Sequence, residues 1–229
     1  MTDIDMPATP ARHRLPVSMR AIRRLLPLAG CGLPATVLND PSVAAWVRAH
    51  GVTVYAGDGD ELDLTGQCGV RPGQVVLRCG GTAEPIVCAL DLGVNRFVVS
   101  CEQHIDVLMA CAHHDTYVHV DGECPAVPGQ GCLAVIGLHC DVQASGPLDW
   151  GAAAERLLGR IAELRADGSA LTRISLTGGP MAVWMEGDKA ELKAIAAAVD
   201  DAIDEGCARW RLPRPSVTFA PSVSAGRSG

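Results

Sequence analysis

The strongest constraint on the fold is a repeated alternation between short apolar runs, typical of β-strands, and longer segments whose apolar residues follow helical spacing. This order predicts right-handed βαβ units and a parallel sheet, because parallel strands need a crossover connection. Eight runs are interpreted as strands, and they start at Pro34, Val52, Gln74, Arg96, Thr116, Leu133, Leu171 and Ser216. Eight strands close a (β/α)8 barrel, so the sequence predicts a TIM-like α/β barrel in one domain.

The connection between the fifth and sixth predicted strands departs from this pattern. The stretch Gly122 to Cys132 (GECPAVPGQGC) is rich in proline and glycine and has no helical spacing. It predicts a poorly helical connection between strands 5 and 6. An open, doubly wound sheet is the alternative fold, because a barrel places a helix in each such connection.

Local signals mark the beginning and end of several helices. Asp40 suits the N-cap of a helix and Pro41 its first turn, while Gly51 predicts its end. Met19 to Gly30 (MRAIRRLLPLAG) predicts a short basic helix before the first strand. The domain organisation expected from these signals is a polar tail over 1–18, the barrel over 19–221 and a second tail over 222–229.

Composition and charge narrow the class of protein. The chain has 229 residues, 48% of them hydrophobic, and a formal net charge of −7, with no long basic stripe. We therefore expect neither nucleic acid nor an anionic membrane as a partner, since both require clustered Lys and Arg. The start of the chain lacks the apolar core of a signal peptide, and no apolar run reaches the ~18 residues that cross a bilayer. A cytoplasmic location is expected.

The ten cysteines are scattered singly, without a C-x-x-C pair. A structural zinc ribbon needs paired cysteines, so this spacing argues against one. Reduced thiols that fill the core as small apolar groups are the interpretation that we favour.

Several short motifs resemble, in the correct order, those of one enzyme family. Gly137 to Val142 (GLHCDV) resembles a G-L-H-C-H-I-G-S strand, and Ile174 to Gly179 (ISLTGG) resembles an L-D-L-G-G-G loop. Four further matches lie at Asp40-Pro41, Asp58 to Leu62 (DGDEL), Gly93 to Val99 (GVNRFVV) and Leu212 to Pro215 (LPRP). Together they resemble the barrel of the diaminopimelate and ornithine decarboxylases, which has the alanine racemase-like fold and binds pyridoxal phosphate (PLP).

The resemblance also shows which functional residues of that family have been replaced. The family holds PLP through a lysine in its first strand, because only an amine forms the imine, and Thr36 falls at that position. The two lysines of the chain, Lys189 and Lys193, follow the seventh predicted strand. Asp141 lies at the position of the family's ring-stacking imidazole, and Ala144 at that of its phosphate-binding serine. Ala220 replaces the glutamate that holds the ring nitrogen, and Val223 replaces an arginine.

Some elements of the family site are retained. The Gly178-Gly179 turn matches the family's glycine loop and could still present backbone N–H groups to a phosphate. With His139 and Asp141 of the sixth strand, these glycines are the candidate cofactor-binding residues, and no catalytic residue is assigned. The family's C-terminal β-domain and its S-K-F-G segment between strands 5 and 6 have no counterpart in this sequence.

Three functional hypotheses follow. The first is a pseudoenzyme that has lost Schiff-base catalysis, has no PLP and binds a small amino-acid-like or anionic ligand. The second is an active enzyme, either of the decarboxylase or racemase family or with changed, metal-dependent chemistry. In the metal-dependent case the ligands would come from the strand-end residues Cys79, Cys101, His119, Asp121, His139, Cys140 and Asp141. Core packing is the favoured role for these residues, so no metal ligand is assigned. The third is association, as a homo-oligomer or with a full-length paralogue.

Overall fold

The eight strands form one closed, parallel barrel in which each strand pairs with its neighbours in sequence and β8 returns to β1. The computed structural model describes residues 29–113, 115–124, 133–143, 146–179, 184 and 189–222. The strands are β1 (Gly30–Pro34), β2 (Thr53–Ala56), β3 (Val75–Arg78), β4 (Arg96–Val99), β5 (Thr116–Asp121), β6 (Leu133–Val142), β7 (Arg173–Gly178) and β8 (Ser216–Ala220). The predicted TIM-like barrel is confirmed, and the open doubly wound sheet is wrong.

Helices cover the outside of the barrel. They are α1 (Pro41–His50), α2 (Gly59–Gln67), α3 (Glu84–Asp91), α4 (Glu102–Cys111), α5 (Pro147–Ala166) and α6 (Lys189–Trp210). Most of the connection between β5 and β6, residues 125–132, lies outside the described part of the chain, so the poorly helical connection stays a prediction.

The predicted first strand is wrong by four residues. Pairing with β2 and β8 places β1 at Gly30–Pro34, whereas the apolar run Ala35–Asn39 forms a 3-10 turn. The Asn39 side-chain amide donates to the Thr36 carbonyl across that turn, at 3.0 Å. Thr36 and Val37 in this run are β-branched and favour a strand, whereas Gly30 and Gly32 of β1 have no side chains that would indicate one. Gly30 also belongs to β1 rather than to the predicted basic helix, of which residues 19–28 lie outside the described chain.

The predicted beginning and end of the first helix are confirmed. The Asp40 carboxylate accepts a hydrogen bond from the Ser42 amide at 2.8 Å, and Pro41 occupies the first turn of α1. Gly51 follows the helix with φ +64°, the left-handed conformation that glycine adopts at little cost.

Two apolar layers stabilise the barrel. Outward-facing strand residues such as Leu77, Phe97 and Ile174 are fully buried beneath the helices. A smaller cluster lies inside the barrel and comprises Tyr55, Val76, Val98 and Ala220. Among the described residues, no helix is both long and apolar enough to cross a membrane.

The ring of Tyr55 occupies the barrel interior beside β1. A Cβ atom added at Gly32 would lie 2.3 Å from Tyr55 Cε2 and 3.5 Å from the Ala220 Cβ. Contacts as short as the first do not occur between carbon atoms in packed proteins. Gly32 is therefore the residue that makes room for the tyrosine ring, and the ring fills the space next to Ala220.

We expect Gly32→Ala to destabilise the protein by about 1–3 kcal/mol, because the added methyl group overpacks the interior against Tyr55. Urea unfolding of the wild type and the variant measures the change. Tyr55→Ala supplies the control: in that background the same glycine substitution should cost less than about 0.5 kcal/mol. An equal cost in both backgrounds would show that the ring is not the obstacle.

Candidate functional site

Three strands contribute charged and polar side chains to the carboxyl-terminal mouth of the barrel, where barrels of this type carry their sites. Asp141 of β6 forms an ion pair with the Arg78 guanidinium of β3, and its other carboxylate oxygen accepts a hydrogen bond from the Thr177 hydroxyl of β7. The two charged side chains are partly open to solvent, at 24% for Arg78 and 31% for Asp141. The mouth therefore carries an ion pair that joins β3 to β6.

A buried hydrogen-bond network continues from Asp141 into the barrel. His139 is fully buried, with Nε2 3.4 Å from the Asp141 carboxylate and Nδ1 3.1 Å from the Ser175 hydroxyl. The Ser175 hydroxyl in turn lies 3.3 Å from the Tyr55 hydroxyl. A buried polar group is costly unless it is hydrogen-bonded, and each member of this network has partners. The network holds the imidazole and the phenol in fixed orientations.

The environment of Asp141 favours its charged form. Burial by itself raises the pKa of this carboxyl, but hydrogen bonds from His139 and Thr177 and the positive charge of Arg78 together lower it well below its ordinary value. The carboxylate therefore stays ionised at neutral pH and is a poor general base. Its geometry suits binding of a cationic group or positioning of its neighbours.

A cavity of about 370 Å³ adjoins the ion pair between the ends of β5 and β6 and helix α5. Its lining includes the acidic residues Asp121, Glu123 and Asp141, together with Cys140 and Arg156. The Arg156 guanidinium lies 3.8 Å from the Cys140 sulfur. The lining thus presents charges of both signs.

The candidate cofactor-binding residues lie at this mouth, but not all of them are free to bind. His139 and Asp141 belong to the network described above. The carbonyls of the Gly178-Gly179 turn accept hydrogen bonds from Trp184 Nε1 at 3.0 Å and from the Ser222 amide at 3.2 Å. Gly179 has φ +69°, which explains the need for glycine there. Their assignment to a phosphate stays a prediction.

The positions matched to the family's other site residues lie as follows. Thr36 is exposed in the turn after β1, and Ala220 is buried beside Tyr55. Ala144 and Val223 lie outside the described residues. Lys193 is exposed on α6, and the structure describes no side chain for Lys189.

The strand-end residues considered for a metal do not form one cluster. Among the residues that the structure describes, no three His, Cys, Asp or Glu side chains come together as a metal-binding group. Burial and the nearby Cys101 thiol raise the pKa of Cys79 to about 12, and burial with neighbouring positive charges lowers that of His119 to about 3. Both groups are therefore neutral at pH 7.

Sequence reasoning missed Arg78, Tyr55, Ser175 and Thr177. The sequence predicted Cys79 as the strand-end residue here, whereas β3 ends at Arg78. Side chains alternate between the two faces of a strand, and a shift of one residue exchanges them. The interior residues Ser175 and Thr177 could have been found from their period-2 spacing with Arg173.

Solved structures with the same fold include amino-acid decarboxylases. Diaminopimelate decarboxylase from M. jannaschi has a TM-score of 0.74 at 12% identity, and lysine decarboxylase from Selenomonas ruminantium has 0.71 at 20%. Each covers 92% of this chain, which matches 59% of theirs. The arginine decarboxylase of Paramecium bursaria Chlorella virus has a TM-score of 0.72 at 15% identity, with 92% and 62% covered. No protein-family model and no curated protein sequence matches the chain.

The chain therefore has the barrel fold of these decarboxylases, as the sequence motifs predicted. It spans about three-fifths of the length of these structures. The lysine decarboxylase has been solved in complex with PLP and cadaverine. Identities of 12–20% establish the shared fold and no more.

We expect Asp141→Asn to lower the free energy of unfolding by about 1–3 kcal/mol at neutral pH, because Arg78 loses its charged partner. The folded pKa of Asp141 lies below its ordinary value of 3.8, so this stabilisation is complete above the unfolded pKa and is lost as the pH falls towards the folded one. Urea unfolding at pH values from about 7 to about 3 should show the wild type and the variant converging in acid.

Asp106→Asn is the matched control, since Asp106 is an exposed carboxylate on α4. It should change stability by less than about 0.5 kcal/mol at any pH in this range. A constant difference between wild type and Asp141→Asn across the range would contradict the role assigned to the carboxylate.

Proposed function

We propose that this barrel has lost Schiff-base catalysis and binds a small, charged ligand at its carboxyl-terminal mouth. The observation that carries the proposal is that the first strand offers no amine. Gly32 and Pro34 are the interior residues of β1 nearest the mouth, and Thr36 beyond them is exposed. None of these can form an imine with an aldehyde.

The residues around the mouth do not fit a PLP molecule held as in the resembling family. Asp141, at the position of the ring-stacking imidazole, has no aromatic face and is held by Arg78, Thr177 and His139. Ala220 has no group that could hold a ring nitrogen, and the Tyr55 ring fills the space beside it. These observations support a site that works without the aldehyde cofactor.

The chain offers a sharp test because Lys189 and Lys193 are its only lysines. We expect that incubation with PLP followed by borohydride reduction produces no stoichiometric label on one lysine of the wild type. Peptide mapping by mass spectrometry locates any label, and the lysine-free variant Lys189→Arg/Lys193→Arg serves as the control. A stoichiometric label on a single lysine, absent from that variant, would overturn the proposal.

Charge and size indicate the class of ligand. The cavity beside the ion pair is lined by one arginine, Arg156, and by the carboxylates of Asp121, Glu123 and Asp141. A molecule that carries both a carboxylate and an amine can pair with both signs, and a volume of about 370 Å³ accommodates a small metabolite. Binding of an amino-acid-like ligand, which itself remains chemically unchanged, is the function that this arrangement supports best.

We expect L-lysine or L-arginine to bind more tightly than cadaverine or succinate, because only the amino acids carry both a carboxylate and an amine. Isothermal titration calorimetry measures the affinities. Removing the guanidinium that lines the cavity, in Arg156→Gln, should weaken binding of the amino acid by about tenfold or more, since a charge-assisted hydrogen bond contributes about 1.5–3 kcal/mol.

Arg160→Gln is the matched control for Arg156→Gln. Arg160 lies one turn further along α5 and pairs with Glu163 at the surface, so this substitution should leave the affinity unchanged. Equal affinities for all four compounds, or no saturable binding by any of them, would contradict the proposed ligand class.

Association with a second copy or with a full-length paralogue stays a prediction. Sizing chromatography of the protein alone and mixed with such a paralogue measures it. Among the residues that the structure describes, no group of three His, Cys, Asp or Glu side chains could bind the metal that the metal-dependent alternative requires.

A further inference from the structure

The opposite, amino-terminal end of the barrel brings together arginines that the mouth does not use. Arg96 is the first residue of β4 and Arg173 the first residue of β7. Alternation along each strand places them on the same face as Val98 and Ser175, which lie inside the barrel. Both side chains therefore start from the inner face of the barrel at its amino-terminal end.

Arg96 carries a buried donor without an acceptor. One of its terminal nitrogens donates to the Gly73 carbonyl at 2.7 Å, but Nε is buried and has no hydrogen-bond partner. Native proteins leave very few buried donors unsatisfied, and each such group calls for an explanation. An acceptor bound at this position would supply the missing hydrogen bond.

The positive charge at this end has no counter-charge among the described residues. Neither Arg96 nor Arg173 forms an ion pair within the part of the chain that the structure describes. His119 is held neutral, because burial, the neighbouring His139 imidazole and the charges of Arg173 and Arg96 all lower its pKa. Burial likewise lowers the pKa of Arg96, and Arg173 lowers it further, while the Tyr55 phenol raises it. None of these interactions involves a carboxylate.

We propose that Arg96 and Arg173 form a second binding site, at the amino-terminal end of the barrel, for a small oxyanion of the phosphate class. A tetrahedral oxyanion offers several acceptors to two planar guanidinium groups and supplies the negative charge that the site lacks. The phosphate could be free or the terminal group of a phosphomonoester, since both offer the same oxygens. Arg78 and Asp141 lie at the other end of the barrel, so this site does not depend on the function proposed for the mouth.

Inorganic phosphate and methyl phosphate are the probes, titrated by calorimetry into the full chain in a phosphate-free buffer of low ionic strength. Sodium chloride at matched ionic strength controls for general screening. We expect saturable binding of inorganic phosphate, weakened at least tenfold by Arg173→Gln and by Arg96→Gln. Arg160 is a partly exposed arginine of α5 that pairs with Glu163, and the variant Arg160→Gln should bind as the wild type does.

Thermal unfolding gives a second readout that a merely structural role would not produce. Without phosphate, Arg173→Gln should unfold at a higher temperature than the wild type, because it removes repulsion between like charges. Phosphate should raise the unfolding temperature of the wild type but not that of Arg173→Gln. Because Arg173 is exposed, this variant is expected to fold.

Comparison of the two probes distinguishes a phosphomonoester from the free anion as the ligand. Methyl phosphate binding as tightly as inorganic phosphate supports a site for phosphomonoesters, whereas its exclusion supports a site for the free anion. Phosphate that acts no more strongly than chloride, or that binds both arginine variants as it binds the wild type, would overturn the proposal. Loss of amino-acid binding at the mouth leaves this result unaffected, so the two proposals fail separately.

Discussion

The carboxylate of Asp141 holds together the polar half of the barrel. It accepts hydrogen bonds from Arg78 of β3 and Thr177 of β7 and lies against His139 of its own strand. A charge at this depth is tolerated only when it is paired and hydrogen-bonded, so each of these partners is needed. The same contacts orient His139 towards Ser175, and Ser175 towards Tyr55. One ionised group thereby sets the arrangement of five side chains from four strands.

The barrel has unlike ends. At the mouth, Arg78 is neutralised by Asp141, and further carboxylates line the adjoining cavity. At the amino-terminal end, Arg96 and Arg173 have no acidic partner among the described residues, and between the two ends His119 is forced to stay neutral. The interior of a (β/α)8 barrel is ordinarily filled by branched apolar side chains. Here, among the described residues, the apolar cluster inside the barrel is a small one, formed by Tyr55, Val76, Val98 and Ala220.

The sequence predicted the barrel because the period of its apolar residues distinguishes strands from helices, and seven of the eight strands begin within two residues of their predicted starts. β1 was missed because Gly30 and Gly32 carry no side chain to reveal a pattern, and the pairing with β2 and β8 decides the strand. The motif around His139 and Asp141 located the mouth, but their partners lie 63 and 36 residues away from Asp141 in sequence, at Arg78 and Thr177. No local pattern specifies contacts between strands so far apart.

The close approach of Tyr55 to Gly32 limits the chemistry that a single substitution could introduce. A lysine placed at position 36 would project from a solvent-exposed turn beyond β1, while the phenol ring would still occupy the interior beside Ala220. A pocket for PLP would require removal of the ring, a partner for the ring nitrogen and release of Asp141 from its three neighbours, all together. Because these features involve contacts between different strands, no single substitution in this barrel would supply all of them.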